Sequence, residues 1–400
     1  MKRILILGAS FLQLPAIQKA KEMGLYVGVV DYNPSAVGVK YADEYFEVST
    51  IDEEAVYQVA KKFNADGIIT LATDMPVRAM TYASEKLNLI SNGYDTAIKT
   101  TDKAEMIKCF KKSNVKHPWY YVVEDKMDIK KILNKIKYPC ISKPTDNAGS
   151  RGVMYIENEK ELLKAIKYSI KNGRSGNIII EEYLNGNEVS VEVMVINKVA
   201  HILQVTDKIT TGAPHFVEMG HVQPSRLDRD SIKKIKDLAI KAIKAVNIIT
   251  GPVHVEIMLT KEGPKMIELG ARMGGDCITS HLVPLSTGID MIKATIDLAL
   301  GNKVNIDSKY EKGSSIYFLK SNPGTIKKIT GIDECKKCND IKQVVILKKL
   351  GDKISEISSS SDRIGYIISQ SETANKAKSA CENASKKIKI EVNKRWKNER

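Results

Sequence analysis

Strand and helix patterns alternate at the start of this chain, and that alternation constrains the fold more than any other feature. Residues 2–7 form an apolar run, Gly8-Ala9-Ser10 a tight turn, and residues 14–23 have helical spacing that ends at Gly24. A second apolar run, 26–31, ends in Asp31. A helix over 52–63, a strand over 67–71 and a helix over 76–87 follow. Such alternation predicts a Rossmann-like parallel sheet covered on both faces. The full G-x-G-x-x-G fingerprint is missing, so the spacing does not support a dinucleotide site. Asp31 and Asp74 fall at the carboxyl ends of predicted strands, where open α/β sheets bind ligands. Asp74 either faces a substrate or caps the helix that starts at Pro76.

The chain has 400 residues, enough for two or three domains, and 43% of them are hydrophobic. No apolar run approaches a membrane span, and the first apolar stretch is too short for a signal peptide. A cytoplasmic protein is expected. The six cysteines show no disulfide framework, and Cys335-Lys336-Lys337-Cys338 is a lone C-x-x-C without a second pair. The formal charge is +14, and residues 307–400 hold 21 Lys and Arg against 12 Asp and Glu. The bases are mixed with acids and lack an aromatic ladder, which favours a solvated surface over nucleic-acid binding.

Past Thr100 the pattern changes. Helices are predicted over 102–112, 127–137 and 159–172. Residues 138–153 read as strand, loop, strand: an apolar run reaches Lys143, Pro144 ends it, and a Gly/Ser/Asn loop follows. Gly149 and Gly152 let backbone N–H groups approach an anion, and Lys143 adds a point charge. An ordinary hairpin loop is the alternative. A strand over 178–184 runs through Glu181, Glu182 and Leu184, and another covers 188–196. A helix spans 230–246. Residues 251–259 and 265–269 form a hairpin that places Glu256 and Glu268 on adjacent strands. Two such carboxylates hold a hard cation beside phosphate oxygens. Arg272 follows in a glycine-rich loop, where a planar guanidinium and backbone amides suit an acyl phosphate and a tetrahedral oxyanion. A helix over 288–301 closes this region. Strands at 315–319, 344–347 and 365–369 and a helix over 372–388 read as a small α+β unit, and 393–400 as a frayed tail.

These motifs, in this order, resemble the ATP-grasp superfamily over roughly residues 1–310. The resemblance includes L-amino acid ligases and the biotin carboxylase and carbamoyl-phosphate synthase-like branch. It implies an α/β ATP-grasp fold with a pre-grasp domain (1–99), an ATP-grasp domain (100–306, lid roughly 116–181) and a C-terminal domain (307–400). By resemblance Lys103 and Lys143 contact ATP phosphates under a loop carrying Asn147, Gly149, Ser150 and Gly152. Glu181, Glu182 and Leu184 read the adenine, Glu188 bonds the ribose, and Glu256 and Glu268 hold Mg²⁺, or Mn²⁺ in its place. Many members carry Asn two residues after the second metal Glu, and here that position is Gly270.

The implied reaction activates a carboxylate with ATP and traps the acyl phosphate with an amine, with Arg272 and Gly275 at the reacting centre. In the amino-acid ligases of this superfamily the pocket for the first amino acid resembles residues 206–221, with an acid three residues before a histidine. Glu218 and His221 match that spacing; the alternative is a surface loop in which they bond each other. Asp276 receives the attacking amine or caps the following helix. The implied partners are a small-molecule carboxylate and an amine, with a homodimer left open and neither nucleic acid nor membrane. A purine-pathway or biotin-carboxylase-like enzyme is the alternative activity, and a catalytically silent ATP-binding module is the alternative outside enzymes.

Overall fold

The computed structural model describes residues 1–124, 129 and 131–393. Residues 127, 128 and 130 of the helix expected over 127–137 and nearly all of the expected tail lie outside the described residues. Strands β1 (Arg3–Leu7), β2 (Tyr26–Val30), β3 (Glu44–Phe46) and β4 (Gly67–Thr70) form a parallel sheet in the order β3-β2-β1-β4. Of the helices between them, Glu53–Phe63 starts at a cap: Asp52 accepts a hydrogen bond from the Ala55 N–H. One face of this sheet packs against Leu14–Glu22 and also against Met291–Ala299, a helix from far along the chain.

A second sheet, antiparallel, has the order β5-β8-β6-β7: β5 (Tyr120–Val123), β6 (Cys140–Pro144), β7 (Met154–Ile156) and β8 (Ile178–Glu182). The helix Glu159–Asn172, capped by Asn158, covers one face through Leu162, Ala165 and Ile166. This is the strand–loop–strand unit expected around Lys143.

The third sheet dominates the molecule. It contains β9 (Gly186–Ile196), β10 (Val199–Thr210), β11 (Glu218–Gln223), β12 (Gly251–Thr260) and β13 (Gly263–Gly270). It continues through β14 (Gly313–Leu319), β16 (Ile341–Ile346) and β18 (Gly365–Ser371), in the order β13-β12-β9-β10-β11-β14-β18-β16. The helices Lys103–Lys112 and Arg229–Ala245 bury their apolar stripes against it, among Val191, Val193, Val253, Val255 and Ile257. A small sheet of β17 (Lys353–Ile354), β15 (Gly324–Thr330) and β19 (Lys389–Asn393) completes the set among the described residues.

Three features add to the expectations. The strands of the small C-terminal α+β unit extend the central sheet, since β14 pairs with β11 and β18 with β14. An extra helix, Tyr94–Thr101, precedes Lys103–Lys112. The helix expected over 288–301 spans Met291–Ala299, and a wide π turn at Ile278–Leu282 followed by Val283–Thr287 comes before it. The six cysteines are free thiols. Among the described residues no helix is long and apolar enough to cross a membrane.

Candidate active site

The site begins with a register. On the β12–β13 hairpin Glu256 lies directly opposite Glu268, and on the other side of β12 His254 lies opposite Glu192 of β9. Cross-strand partners share a face, so four polar side chains gather on one surface of the central sheet. The imidazole of His254 is buried, with Nδ1 2.9 Å from Glu192 and Nε2 3.2 Å from Glu256. Burial disfavours its charged form, but the Glu192 carboxylate and the hydrogen bonds to both acids outweigh that and raise its pKa to about 9. His254 is therefore a cation at neutral pH and a donor to Glu256 rather than a metal ligand.

Lys103 starts its helix beside this hairpin, behind the Asp102 cap. Its ammonium sits 3.1 Å from Glu268 and donates to the Asn147 carbonyl at 2.8 Å. Burial opposes its charge; Glu268 and Asp74 more than restore it, so its pKa is raised. A second buried lysine, Lys208 on β10, has no counterpart in the sequence reading. Its Nζ lies 2.5 Å from Glu188, 3.2 Å from Glu256 and 3.4 Å from Glu218. Burial opposes its charge, yet three carboxylates around one ammonium hold its pKa well above the ordinary lysine value. The available signal was faint: a lysine inside an otherwise strand-forming run, Val205-Thr206-Asp207-Lys208.

The lid sheet supplies the opposite wall. Lys143 of β6 and Glu181 of β8 are both buried and 2.5 Å apart. The loop after β6 turns through positive φ at Gly149, Ser150 and Gly152. Glycine is required at 152, where a Cβ would stand 2.7 Å from the Pro144 ring. Asn147 donates to the Asn172 carbonyl at 2.6 Å, tying the loop to the helix behind it. Glu182 is paired with Lys265 of β13 at 3.0 Å. Lys143, Glu181, Glu182, Leu184 and Glu188 line a cavity of about 160 Å³. A larger one of about 340 Å³, lined by Asp74, Arg272 and His254, adjoins it at Lys103, Asn147, Glu256 and Glu268.

Two ion pairs bear on the helix-cap readings of Asp74 and Asp276. Arg272 forms a two-pronged pair with Asp74, Nε and Nη2 each 2.8 Å from a carboxylate oxygen. Pro76, not Asp74, occupies the cap position of Val77–Lys86, so the capping alternative for Asp74 fails. The space for this pair comes from Gly270, where a Cβ would stand 2.5 Å from Asp74 Oδ1 and 3.1 Å from Arg272 Nε. Asp276 likewise makes no helix cap. It binds the fork of Arg363 at 2.6 and 2.8 Å. Arg363 comes from the C-terminal region and stacks on the Phe318 ring at 3.8 Å. Burial opposes ionisation of Asp276, but His221 and Arg363 reverse it and hold its carboxyl far below the usual range.

Glu218 and His221 lie on β11, not in a surface loop, and do not bond each other. His221 is 1% exposed, with Nε2 3.5 Å from Asp276 and outside hydrogen-bond geometry. Gly275 packs near the Ala72 carbonyl at the end of the first sheet. Thus the hairpin, Lys103, Lys143, Lys208, the loop and Arg272 converge on one cleft, while His221, Gly275 and Asp276 line neither of its two cavities. The donor set suits magnesium: two opposed carboxylates are available, and among the described residues no group of three or more His, Cys, Asp or Glu forms an all-protein metal cage.

A cleft between a lid sheet and a carboxylate hairpin, with lysines from both walls, is the ATP-grasp arrangement. The chain carries an ATP-grasp domain: residues 136–280 match the family of that name. Residues 316–393 match the L-amino acid ligase C-terminal domain 2. The structure is similar to that of L-amino acid ligase from Bacillus licheniformis, with a TM-score of 0.86, 22% identity and coverage of 98% of this chain and 99% of that one. Phosphoribosylglycinamide synthetase from Anaerococcus prevotii gives a TM-score of 0.79 and 27% identity, covering 98% of this chain and 100% of the other. An uncharacterized protein, y4rH, from Sinorhizobium fredii (strain NBRC 101917 / NGR234) is 23% identical over 316 residues, or 78% of this chain; the match spans 65% of that protein's length.

Proposed function

We propose that the chain is an ADP-forming carboxylate–amine ligase whose first substrate is an amino acid. The observation that carries this reading is the opposed pair Glu256 and Glu268, standing between Lys103, Lys208 and Arg272 in one cleft. Glu181, Glu182 and Leu184 face the adenine of ATP and Glu188 its ribose, while Lys103, Lys143 and the 147–152 loop hold the phosphates. Lys208 joins them once nucleotide enters, because it already faces the inner side of the same cavity. Glu256 and Glu268 would hold Mg²⁺, or Mn²⁺, and the bound cation would supply charge neutralisation for phosphoryl transfer.

In the first step a carboxylate oxygen forms a bond to the γ-phosphorus and the bond from that phosphorus to ADP breaks. In the second, the amine nitrogen forms the C–N bond, the acyl C–O bond breaks, and phosphate leaves with that electron pair; the nitrogen gives up one proton. Arg272 and the Gly275 amide stabilise the tetrahedral oxyanion between these events. Asp74 holds Arg272 in place. Glu218 receives the ammonium of the first amino acid and His221 stands beside the reacting carboxylate. The match of residues 316–393 supports an amino acid over the purine and carboxylase substrates. The test is an ADP-release screen of amino acids, singly and in pairs, with mass analysis of the products. ADP release that needs bicarbonate or a nucleotide, and no amino acid, would refute it.

A further inference from the structure

Beyond the nucleotide cleft the molecule holds a separate cavity of about 220 Å³. It opens at the carboxyl end of the parallel sheet, under the loop after β1, and Gly274 and Gly275 form part of its wall. Gly274 backs onto the cleft: a Cβ there would stand 2.6 Å from Nδ1 of His254, which lines the larger cleft cavity together with Arg272. The wall also takes Phe11, Leu12 and Leu14 from the N-terminus, Ser280 and His281 from the π turn, and Val345, Leu347 and Tyr366 from the extended sheet.

The chemistry of this wall differs from that of the cleft. Both cleft cavities are crowded with lysine, arginine and carboxylates. Among the described residues lining this one there is no Lys, Arg, Asp or Glu. His281 bonds Ser280 Oγ through Nδ1 at 2.8 Å, and burial lowers its pKa, so it adds no charge at neutral pH. Gln343 is re-aimed by a bulge in β16, and its side-chain oxygen is buried without a hydrogen-bond partner. A buried acceptor left unpaired costs about 1–3 kcal/mol, which a ligand N–H would offset. The cavity is also smaller than the roughly 300–1,000 Å³ of drug-sized ligand pockets.

We propose that this cavity binds the acceptor amine, and that the acceptor has a small, apolar, uncharged body bearing neither phosphate nor carboxylate. The assignment rests on the ligase reading above, which supplies the acyl phosphate in the cleft behind Gly274. A phosphate or carboxylate on the acceptor would find no cation in this wall and would stay desolvated and unpaired. An alkyl amine or an amino-acid amide buries its body against Leu12, Val345 and Leu347 and donates to Gln343.

Hydroxylamine separates the two readings, since so small a nucleophile traps an acyl phosphate without filling a pocket. Each amino acid is offered with ATP, Mg²⁺ and hydroxylamine, and hydroxamate is measured. No hydroxamate from any of them would overturn the ligase reading and the acceptor assignment with it. With an active amino acid in hand, isoamylamine, leucinamide, leucine and phosphoethanolamine then compete with hydroxylamine. Isoamylamine and leucinamide are expected to divert product from hydroxamate to amide at roughly tenfold lower concentration than leucine, and phosphoethanolamine not at all. Leu347→Arg, at an exposed position, and Leu12→Arg, at a partly exposed one, are expected to lower the amide-to-hydroxamate ratio about tenfold or more. Preference for leucine or phosphoethanolamine, or ratios equal to the parent's in both variants, would refute the acceptor assignment while leaving the ligase reading standing.

Discussion

The protonation of His254 can be tested without knowing any substrate. Its imidazole lies between Glu192 and Glu256, with Arg272 close enough to oppose its charge slightly. The pKa rises from 6.5 in the open chain to about 9 in the folded protein. A group raised by folding stabilises fully below its unfolded pKa, and that contribution disappears as pH climbs through the folded value. The window is therefore 6.5 to about 9. The difference is worth about 3 kcal/mol, and since His254 is only 4% exposed no allowance for solvent screening applies. His254→Gln keeps a hydrogen-bonding side chain of similar reach but has no proton to lose. Urea unfolding from about pH 6 to about pH 9.5 should show the parent losing about 3 kcal/mol relative to the variant. The imidazole resonances followed by NMR should include one that is missing in His254→Gln and titrates near 9. Parallel stability curves, or a His254 signal titrating at or below 6.5, would refute the account of this cluster.

Other expectations follow from the same geometry. Glu268→Gln should abolish ADP release and weaken Mn²⁺ binding, read by electron paramagnetic resonance, by at least about tenfold; ADP release near the parent rate would remove Glu268 from the metal site. Lys208→Met leaves Glu188, Glu218 and Glu256 without their shared cation and should cost about 3–5 kcal/mol of stability. An unchanged melting temperature would show that the three acids are compensated elsewhere. Gly270→Ala drives a methyl against Asp74 and should lower kcat with little change in ATP affinity; adding Asp74→Ala should relieve the clash but not restore Arg272. A parent-like kcat in Gly270→Ala alone would mean that the crowding is harmless.

Much of the arrangement was legible because it rests on local spacing. The βα alternation predicted the parallel sheet, the lysine-to-glycine run predicted β6 and its loop, and the separation of Glu256 from Glu268 predicted a hairpin that pairs them. What stayed hidden depends on partners distant in the chain. Asp74 was left between a substrate contact and a helix cap because a capping side chain is recognised from its neighbours, whereas its ion-pair partner Arg272 is 198 residues away. Asp276 met the same difficulty with Arg363, 87 residues on. Lys208 was one base among 62 Lys and Arg, and nothing local separates a buried lysine from a solvated one. The C-terminal strands were recognised as strands, but pairing across β11 and β14 joins segments about a hundred residues apart, and no periodicity encodes it.

That seam between β11 and β14 bears on how the protein can be dissected. Gly220 to Gln223 pair in register with Tyr317 to Ser314. A fragment ending at residue 307 would therefore expose the N–H and C=O groups of the very strand that carries Glu218 and His221. A bare edge of this kind is a template for another chain, and such a fragment should self-associate instead of persisting as a monomeric nucleotide binder. The same holds for chimaeras: a C-terminal segment borrowed from a relative must reproduce this four-residue register before it can contribute a guanidinium opposite Asp276.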